Sequence, residues 1–115
     1  MKLAALKIPV TDAERAIAFY RVLFDSDPVF EAEEFGWVQF MLSDLPVALY
    51  VPGKGGGHGV PGHDLDFHLG AEALPEILAR IVPQAPDAAL HNNADGSQSL
   101  ELTDPDGNAL KIMAV

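Results

Sequence analysis

The stretch Ile8 to Phe24, IPVTDAERAIAFYRVLF, contains the first clear change of structural pattern in the chain. An apolar run from Leu3 to Val10 predicts a strand. Thr11 to Glu14 then has the form of a capping box, with Thr11 as the helix cap and Glu14 reaching back. Apolar residues at helical spacing predict a helix whose buried face comprises Ala13, Ala16, Ile17, Tyr20 and Phe24.

Three further strands are predicted after the helix, which stops at the turn-forming cluster Asp25 to Pro28. They are Val29–Ala32, Trp37–Leu42 and Val47–Val51, separated by turns at 34–36 and 43–46. The first half of the chain therefore has the predicted element order β-α-β-β-β.

The next segment is rich in glycine. Residues Pro52 to His63, PGKGGGHGVPGH, contain six glycines and two prolines, a composition typical of a linker or mobile loop. A phosphate-binding loop is the alternative, but the spacing G-x-x-x-x-G-K-[ST] is absent and no helix follows directly. We expect a linker over residues 52–63.

After this segment the pattern of the first half returns. The predicted elements are a strand, a helix and three strands: Asp64–Leu69, Glu72–Val82, Ala88–Asn92, Ser97–Thr103 and Ala109–Val115. The second half is thus another β-α-β-β-β unit, an internal repeat defined by element order rather than by identity. We expect one α+β domain over residues 1–115, made of modules at about 1–51 and 64–115.

Composition limits the partners. Seventeen acidic residues against seven basic ones give a net charge of −10, which argues against nucleic-acid binding and favours cationic ligands. The chain has no cysteine, and its N-terminus lacks the apolar length of a signal peptide or membrane span. We expect a cytoplasmic protein that binds neither nucleic acid nor membrane.

Two stretches resemble the glyoxalase, bleomycin-resistance and dioxygenase superfamily, also called vicinal oxygen chelate. Ile8 to Phe24 resembles its first strand and helix, which ends in Phe-Tyr, and DPDGNALKI, Asp104 to Ile112, resembles its last hairpin. The resemblance implies two modules that form a curved mixed sheet with a ligand cleft, and a homodimer. The Asp104 to Asn108 segment also has the local chemistry of a turn, with Pro105 presetting φ and Gly107 free to adopt φ > 0.

The resemblance also implies a divalent metal held by side chains on inner strands, and three positions bear on this. The first ligand position, seven residues before Asp12, is Ala5, which has no donor atom. The second falls at Asp64, with His63 beside it, and the third is Lys111, whose ammonium repels a dication. We therefore expect no metal or other cofactor. A site rebuilt from His63, Asp64 or His68 is the alternative.

Other residues are candidates for ligand binding. If the last hairpin closes around 104–108, Glu101 faces Lys111, and the two form either an ion pair inside the cleft or an exposed pair without function. The resemblance implies that Lys111 faces inward. The remaining candidates are Lys7, which shares a strand face with Ala5; Trp37 and Gln39, which alternate along one strand; and Asp66 and His68, which follow Asp64 at strand spacing.

These observations predict metal-independent binding or sequestration of a small cationic or aromatic molecule. Trp37, the only tryptophan, is suited to stacking on such a ligand, although a lone tryptophan is also common in cores and dimer contacts. No nucleophile motif is present. The alternatives are a metal-dependent lyase, isomerase or dioxygenase with relocated ligands, and a protein that only dimerises or binds another protein.

Overall fold

The structure, a computed structural model, describes all residues from 1 to 115. The chain divides into two compact units, Met1–Pro61 and Gly62–Val115. Each unit contains one helix and a four-stranded mixed sheet, in the predicted element order β-α-β-β-β. Neither helix is both long enough and apolar enough to cross a membrane.

The first unit has a sheet of strand order β1-β4-β3-β2. Its elements are β1 Leu6–Pro9, α1 Ala13–Phe24, β2 Phe30–Ala32, a single 3-10 turn Glu33–Phe35, β3 Trp37–Leu42 and β4 Leu45–Tyr50. Strands β1 and β4 are parallel, and the other two pairings are antiparallel. The predicted β1 was too long, and β4 begins earlier than predicted because Ser43, at φ 52°, makes a tight turn with Asp44.

Helix α1 begins and ends through local contacts. The cap is Asp12 rather than Thr11, because Asp12 has an extended backbone and its carboxylate accepts a 3.2 Å hydrogen bond from the Arg15 amide. The Thr11 hydroxyl instead accepts from the Arg15 guanidinium at 3.1 Å. At the other end Asp25 adopts a left-handed conformation, and its amide donates to carbonyls of the last turn.

The buried face of α1 is rotated from the predicted one. Ala16 and Tyr20 are buried as expected, but the other buried positions are Phe19 and Leu23. This i, i+3, i+4, i+7 set presents a continuous apolar stripe to the sheet. Phe24 remains at its margin, where its ring lies 5.3 Å from that of Phe40 in an edge-to-face arrangement.

The second unit repeats this order, with a sheet of strand order β5-β8-β7-β6. Its elements are β5 Leu69–Ala71, α2 Leu74–Ile81, β6 Ala89–Asn92, β7 Gln98–Thr103 and β8 Ala109–Ala114. Helix α2 starts two residues later than predicted because Ala73, at φ 54°, is left-handed. Pro75 lies in the first turn, where its missing N–H costs nothing.

The strand predicted at Asp64–Leu69 is displaced toward the C-terminus. Asp64 makes only an isolated bridge to Ala109, and regular pairing begins where Leu69 meets Ile112. Five residue steps from Asp64 to Leu69 thus lie opposite three steps from Ala109 to Ile112. The two surplus residues leave the ladder as an irregular bulge. Burial nevertheless alternates through this segment: Asp64, Asp66 and His68 are exposed, whereas Leu65 and Phe67 are half-buried.

Candidate functional site

The sheet of the first unit has one face against α1 and one face without a helix. Val38 and Phe40 are buried on the α1 side, so the alternating Trp37 and Gln39 lie on the other. Strand register places Tyr50 directly opposite Trp37 on this second face. We call it the Trp37 face. Its defining residues are Lys7, Trp37, Gln39 and Tyr50.

Side-chain contacts connect the members of the Trp37 face. The Trp37 indole N–H donates to the Gln39 side-chain oxygen at 3.2 Å, which fixes both side chains. The Lys7 Nζ lies 5.1 Å from the centroid of the Tyr50 ring, within the range of a cation–π contact. The structure therefore brings together the three residues that the sequence predicted here, Lys7, Trp37 and Gln39.

Tyr50 was not among the predicted site residues. It is one of two tyrosines, it ends a strand, and its ring is only 5% exposed. The strand itself was predicted, so alternation alone could have placed Tyr50 and Ala48 on one face. Which face that is depends on the register with β1 and β3, and this register is a non-local property.

The glycine-rich segment covers part of the Trp37 face. We call residues Gly53–Gly59 the glycine strap. The Gly56 carbonyl accepts a 2.7 Å hydrogen bond from Lys7 Nζ, and the Gly59 amide donates to the Tyr50 hydroxyl at 3.0 Å. A third bond of 3.0 Å, from the Gly53 amide to the Gly57 carbonyl, closes the strap on itself. The segment predicted as a linker is thus folded against the first sheet.

A pocket lies beside the first turn of α1, and its lining includes Trp37 of the Trp37 face and Lys54 of the glycine strap. Its volume is about 900 Å³, and its apolar lining includes Ile17 and Phe30. Five carboxylates line it, with Lys54 as the one basic residue; they are Asp12, Glu14, Glu31, Glu33 and Glu34. The excess of negative charge makes this pocket favourable for a cation and unfavourable for an anion.

In the second unit the predicted register of the last hairpin is confirmed. Glu101 is directly opposite Lys111, and Thr103 is opposite Ala109. The Glu101–Lys111 ion pair, however, does not form. The Glu101 carboxylate instead accepts a 3.3 Å hydrogen bond from the Ser99 hydroxyl and lies 3.8 Å from His91 Nδ1.

The orientation of Glu101 has a local explanation. Ser99 is fully buried, and its hydroxyl accepts a 3.3 Å bond from the Asn93 amide while donating to Glu101. Because a buried hydroxyl requires an acceptor, Ser99 holds the Glu101 carboxylate on the β6 side, away from Lys111. The cross-strand pair is therefore replaced by a polar cluster of Asn93, Ser99, Glu101 and His91.

The turn Asp104–Asn108 fixes the position of Lys111 in β8. The Asp104 Oδ1 accepts from the amides of Asp106 and Asn108, each at 2.9 Å, and Gly107 adopts φ 83°. The side chain of Asn108 is fully buried; it donates to Asp104 Oδ2 and accepts from the Gly62 amide, each at 2.8 Å. This network fixes where β8 starts.

Asp66 and His68 lie between the bridge at Asp64 and the start of β5. Both are exposed like Asp64, whereas the residues between them, Leu65 and Phe67, are half-buried, so burial alternates as strand spacing predicts. No ion pair joins Asp66 and His68. Their expected role in ligand binding stays a prediction.

The donor groups do not fit the divalent metal that the sequence resemblance implies. Nowhere in the chain do three His, Asp or Glu side chains come together as such a site requires. Ala5 offers no donor, and Lys111 presents an ammonium at the third expected position. Neither His63 nor Asp64 is part of a three-residue cluster.

Comparison with solved structures identifies the fold over the full length. The lactoylglutathione lyase from Agrobacterium tumefaciens superposes with a TM-score of 0.80 at 22% identity, covering 98% of this chain and 92% of that one. A member of the glyoxalase/bleomycin resistance protein/dioxygenase superfamily from Sphaerobacter thermophilus gives 0.80 at 19% identity, with 100% and 98% covered. This chain has the glyoxalase/bleomycin resistance-like fold.

A third neighbour extends the same result. The glyoxalase/bleomycin resistance protein from Catenulispora acidiphila gives a TM-score of 0.74 at 22% identity, with 99% of each chain covered. No protein-family model matches the sequence, and a search of curated proteins finds no significant match. The glyoxalase-like fold is therefore evident from the backbone, and it hosts many chemistries, so function has to be argued from side chains.

Proposed function

We propose that this chain is a member of the glyoxalase/bleomycin resistance superfamily that binds a small aromatic molecule without a metal. The observation that carries the proposal is the Trp37 face. Two aromatic rings, Trp37 and Tyr50, lie opposite each other on adjacent strands, and Gln39 holds the indole in place. Aromatic rings held in a fixed orientation favour planar ligands that stack on them.

Two observations support binding rather than metal-dependent chemistry. Two of the three expected ligand positions hold Ala5 and Lys111, and no cluster of three metal-binding side chains exists. Lys7, the charged residue of the Trp37 face, is basic. Of the two ligand classes that the sequence suggests, the geometry of this face therefore favours the aromatic class over the cationic one.

Calorimetric titration with a neutral planar probe, 2-naphthamide, tests the proposal. We expect binding to the wild-type chain and a loss of about tenfold in affinity for Trp37→Leu, because stacking is removed. The matched control is Phe35→Leu, which truncates an exposed ring outside the Trp37 face. Equal affinities for the wild type and Trp37→Leu would remove the Trp37 face from the proposal.

The acidic pocket beside α1 supports a second candidate function, binding of a small cation. Five carboxylates and an apolar lining suit a ligand that combines a cationic group with a hydrocarbon part. Calorimetric titration with 2-naphthylmethylammonium measures the affinity of this pocket for such a cation. We expect the double variant Glu31→Gln, Glu34→Gln to bind this probe more weakly than the wild type. Glu72→Gln changes an exposed carboxylate outside the pocket and should leave the affinity unchanged.

We propose further that two copies of the chain pair as a homodimer. Support comes from the edge strand β2, which has unpaired backbone groups along one side and an exposed Phe30 next to an exposed Val29. Sedimentation at micromolar concentration tests this. We expect a dimer for the wild type and for the control Leu3→Glu, and a shift to monomer for Phe30→Glu.

A further inference from the structure

The glycine strap is held down by very few contacts. Its anchors are the Lys7 bond to the Gly56 carbonyl, the Gly59 bond to the Tyr50 hydroxyl, and close backbone packing. The side chains of Lys54 and His58 are exposed. A segment that buries backbone but almost no apolar side chain opens at low free-energy cost.

Glycine is required where the strap meets the Trp37 face. A Cβ at Gly56 would lie 3.0 Å from the Tyr50 Cβ and 3.1 Å from the Trp37 ring. At Gly57 it would lie 3.0 Å from the Tyr50 ring and 3.1 Å from Lys7 Nζ. The strap thus occupies the volume directly over these two rings, and a ligand that stacks on Tyr50 has to displace it.

Lys7 is the group on this face whose partner is easiest to replace. Its ammonium contacts a neutral carbonyl and the Tyr50 ring, and no carboxylate lies within ion-pair distance. The Lys7 bond to the Gly56 carbonyl carries a charge on the donor only, whereas a ligand carboxylate would add a full negative charge on the acceptor, so it competes well with that carbonyl.

We infer that the glycine strap gates an anion subsite at Lys7, and that the ligand is a planar aromatic carboxylate. This inference rests on the proposed binding of an aromatic molecule to the Trp37 face. The ligand carboxylate accepts the hydrogen bond of the Lys7 ammonium in place of the Gly56 carbonyl, and the strap then opens. Opening uncovers the Tyr50 ring, so that both Tyr50 and Trp37 contact the ligand ring. The charge of −10 opposes an anion at long range, but that repulsion is screened beyond about 8 Å at physiological ionic strength, whereas the Lys7 contact is direct.

The test compares two probes that share a ring system, 2-naphthoate and 2-naphthamide, by calorimetry. We expect the wild-type chain to bind the carboxylate about tenfold more tightly than the amide. Lys7→Met should abolish this preference, so that the two probes bind this variant with equal affinity. Lys54→Met, which removes the same charge from the strap where it lines the acidic pocket, should retain the preference.

Hydrogen exchange of the strap amides gives a second readout. We expect 2-naphthoate to speed exchange of the Gly59 amide, because the bond to Tyr50 breaks when the strap opens. Without a probe, Lys7→Met should speed exchange across Gly56–Gly59, and Lys54→Met should not. Slower exchange of the Gly59 amide with 2-naphthoate would mean that the strap closes over the ligand, which would contradict the proposed opening.

The outcomes also separate this inference from the proposed function. If both probes bind equally well and Trp37→Leu weakens both, the aromatic face stands and the anion subsite is wrong. If the preference for the carboxylate survives Lys7→Met, the anion binds elsewhere and the inference fails. If neither probe binds, the proposed function and the inference fail together.

Discussion

The Lys7 ammonium lies 5.1 Å from the centroid of the Tyr50 ring, although forty-three positions separate the two residues in the chain. Parallel pairing of β1 with β4 creates this contact, because Lys7 is opposite Ala48, two residues before Tyr50 on the same face. The glycine strap then bonds to both side chains, through Gly56 and Gly59. The relationship between these two residues therefore organises the covered part of the Trp37 face.

The close approach of Gly59 to Tyr50 predicts a stability effect. In Gly59→Ala the new methyl group would collide with the Tyr50 hydroxyl, so we expect the free energy of unfolding to fall by about 1–3 kcal/mol. Chemical denaturation measures this. In a double-mutant cycle, Tyr50→Phe should recover part of the loss, because it removes the oxygen that the methyl group meets. Strictly additive effects would show that the collision is relieved in another way.

We expect the buried Asn108 side chain to contribute more to stability than the exposed Asn92 side chain does. Asn108→Ala leaves both the Asp104 carboxylate and the Gly62 amide without their bonds to this side chain. We expect a loss of about 1–3 kcal/mol in the free energy of unfolding. The matched control is Asn92→Ala, at an exposed position of β6, which should change stability little. Similar losses in the two variants would contradict this assignment.

Asp95 provides a pH prediction. The Ser97 hydroxyl donates to its carboxylate at 2.6 Å and the Ser97 amide at 2.9 Å, and these bonds lower the pKa of Asp95 below its ordinary value of 3.8. Because the folded-state pKa is depressed, the contribution to stability is present above pH 3.8 and is lost as pH falls through the folded-state pKa. NMR titration should give a midpoint below 3.8 for Asp95, and Ser97→Ala should raise it. An unchanged midpoint in that variant would assign the shift to another cause.

Metal content is the most direct check on the proposed chemistry. We expect the purified chain, offered Ni, Zn, Mn and Fe and then dialysed, to retain no stoichiometric ion, because Ala5 and Lys111 occupy two positions where the sequence resemblance implies ligands. Elemental analysis measures this. About one ion retained per chain would revive the metal-dependent alternative. Loss of that ion in His63→Ala or Asp64→Ala would identify the ligands.

Local chemistry in the sequence determined several features correctly. The pattern from Ile8 to Phe24 predicted a strand followed by a helix, and the structure has both, with the cap moved by one residue to Asp12. The length of the turn Asp104–Asn108 fixed the pairing of Glu101 with Lys111, because hairpin register follows from loop length. These features depend on residues that are neighbours in sequence, so they can be predicted from the sequence alone.

Only the tertiary structure decided which side chains meet. The Trp37–Tyr50 pair and the Lys7–Gly56 bond depend on the register of distant strands and on how the glycine strap folds back. The start of β5 also depends on non-local pairing, because two surplus residues interrupt the ladder between Asp64 and Leu69, which no local pattern reveals. In the same way the buried Ser99 turned Glu101 away from Lys111, since satisfying a buried hydroxyl outweighs a half-exposed ion pair. The sequence permits many contacts, and the pairing of distant strands and the burial of side chains decide which of them form. The contacts that do form define the candidate site.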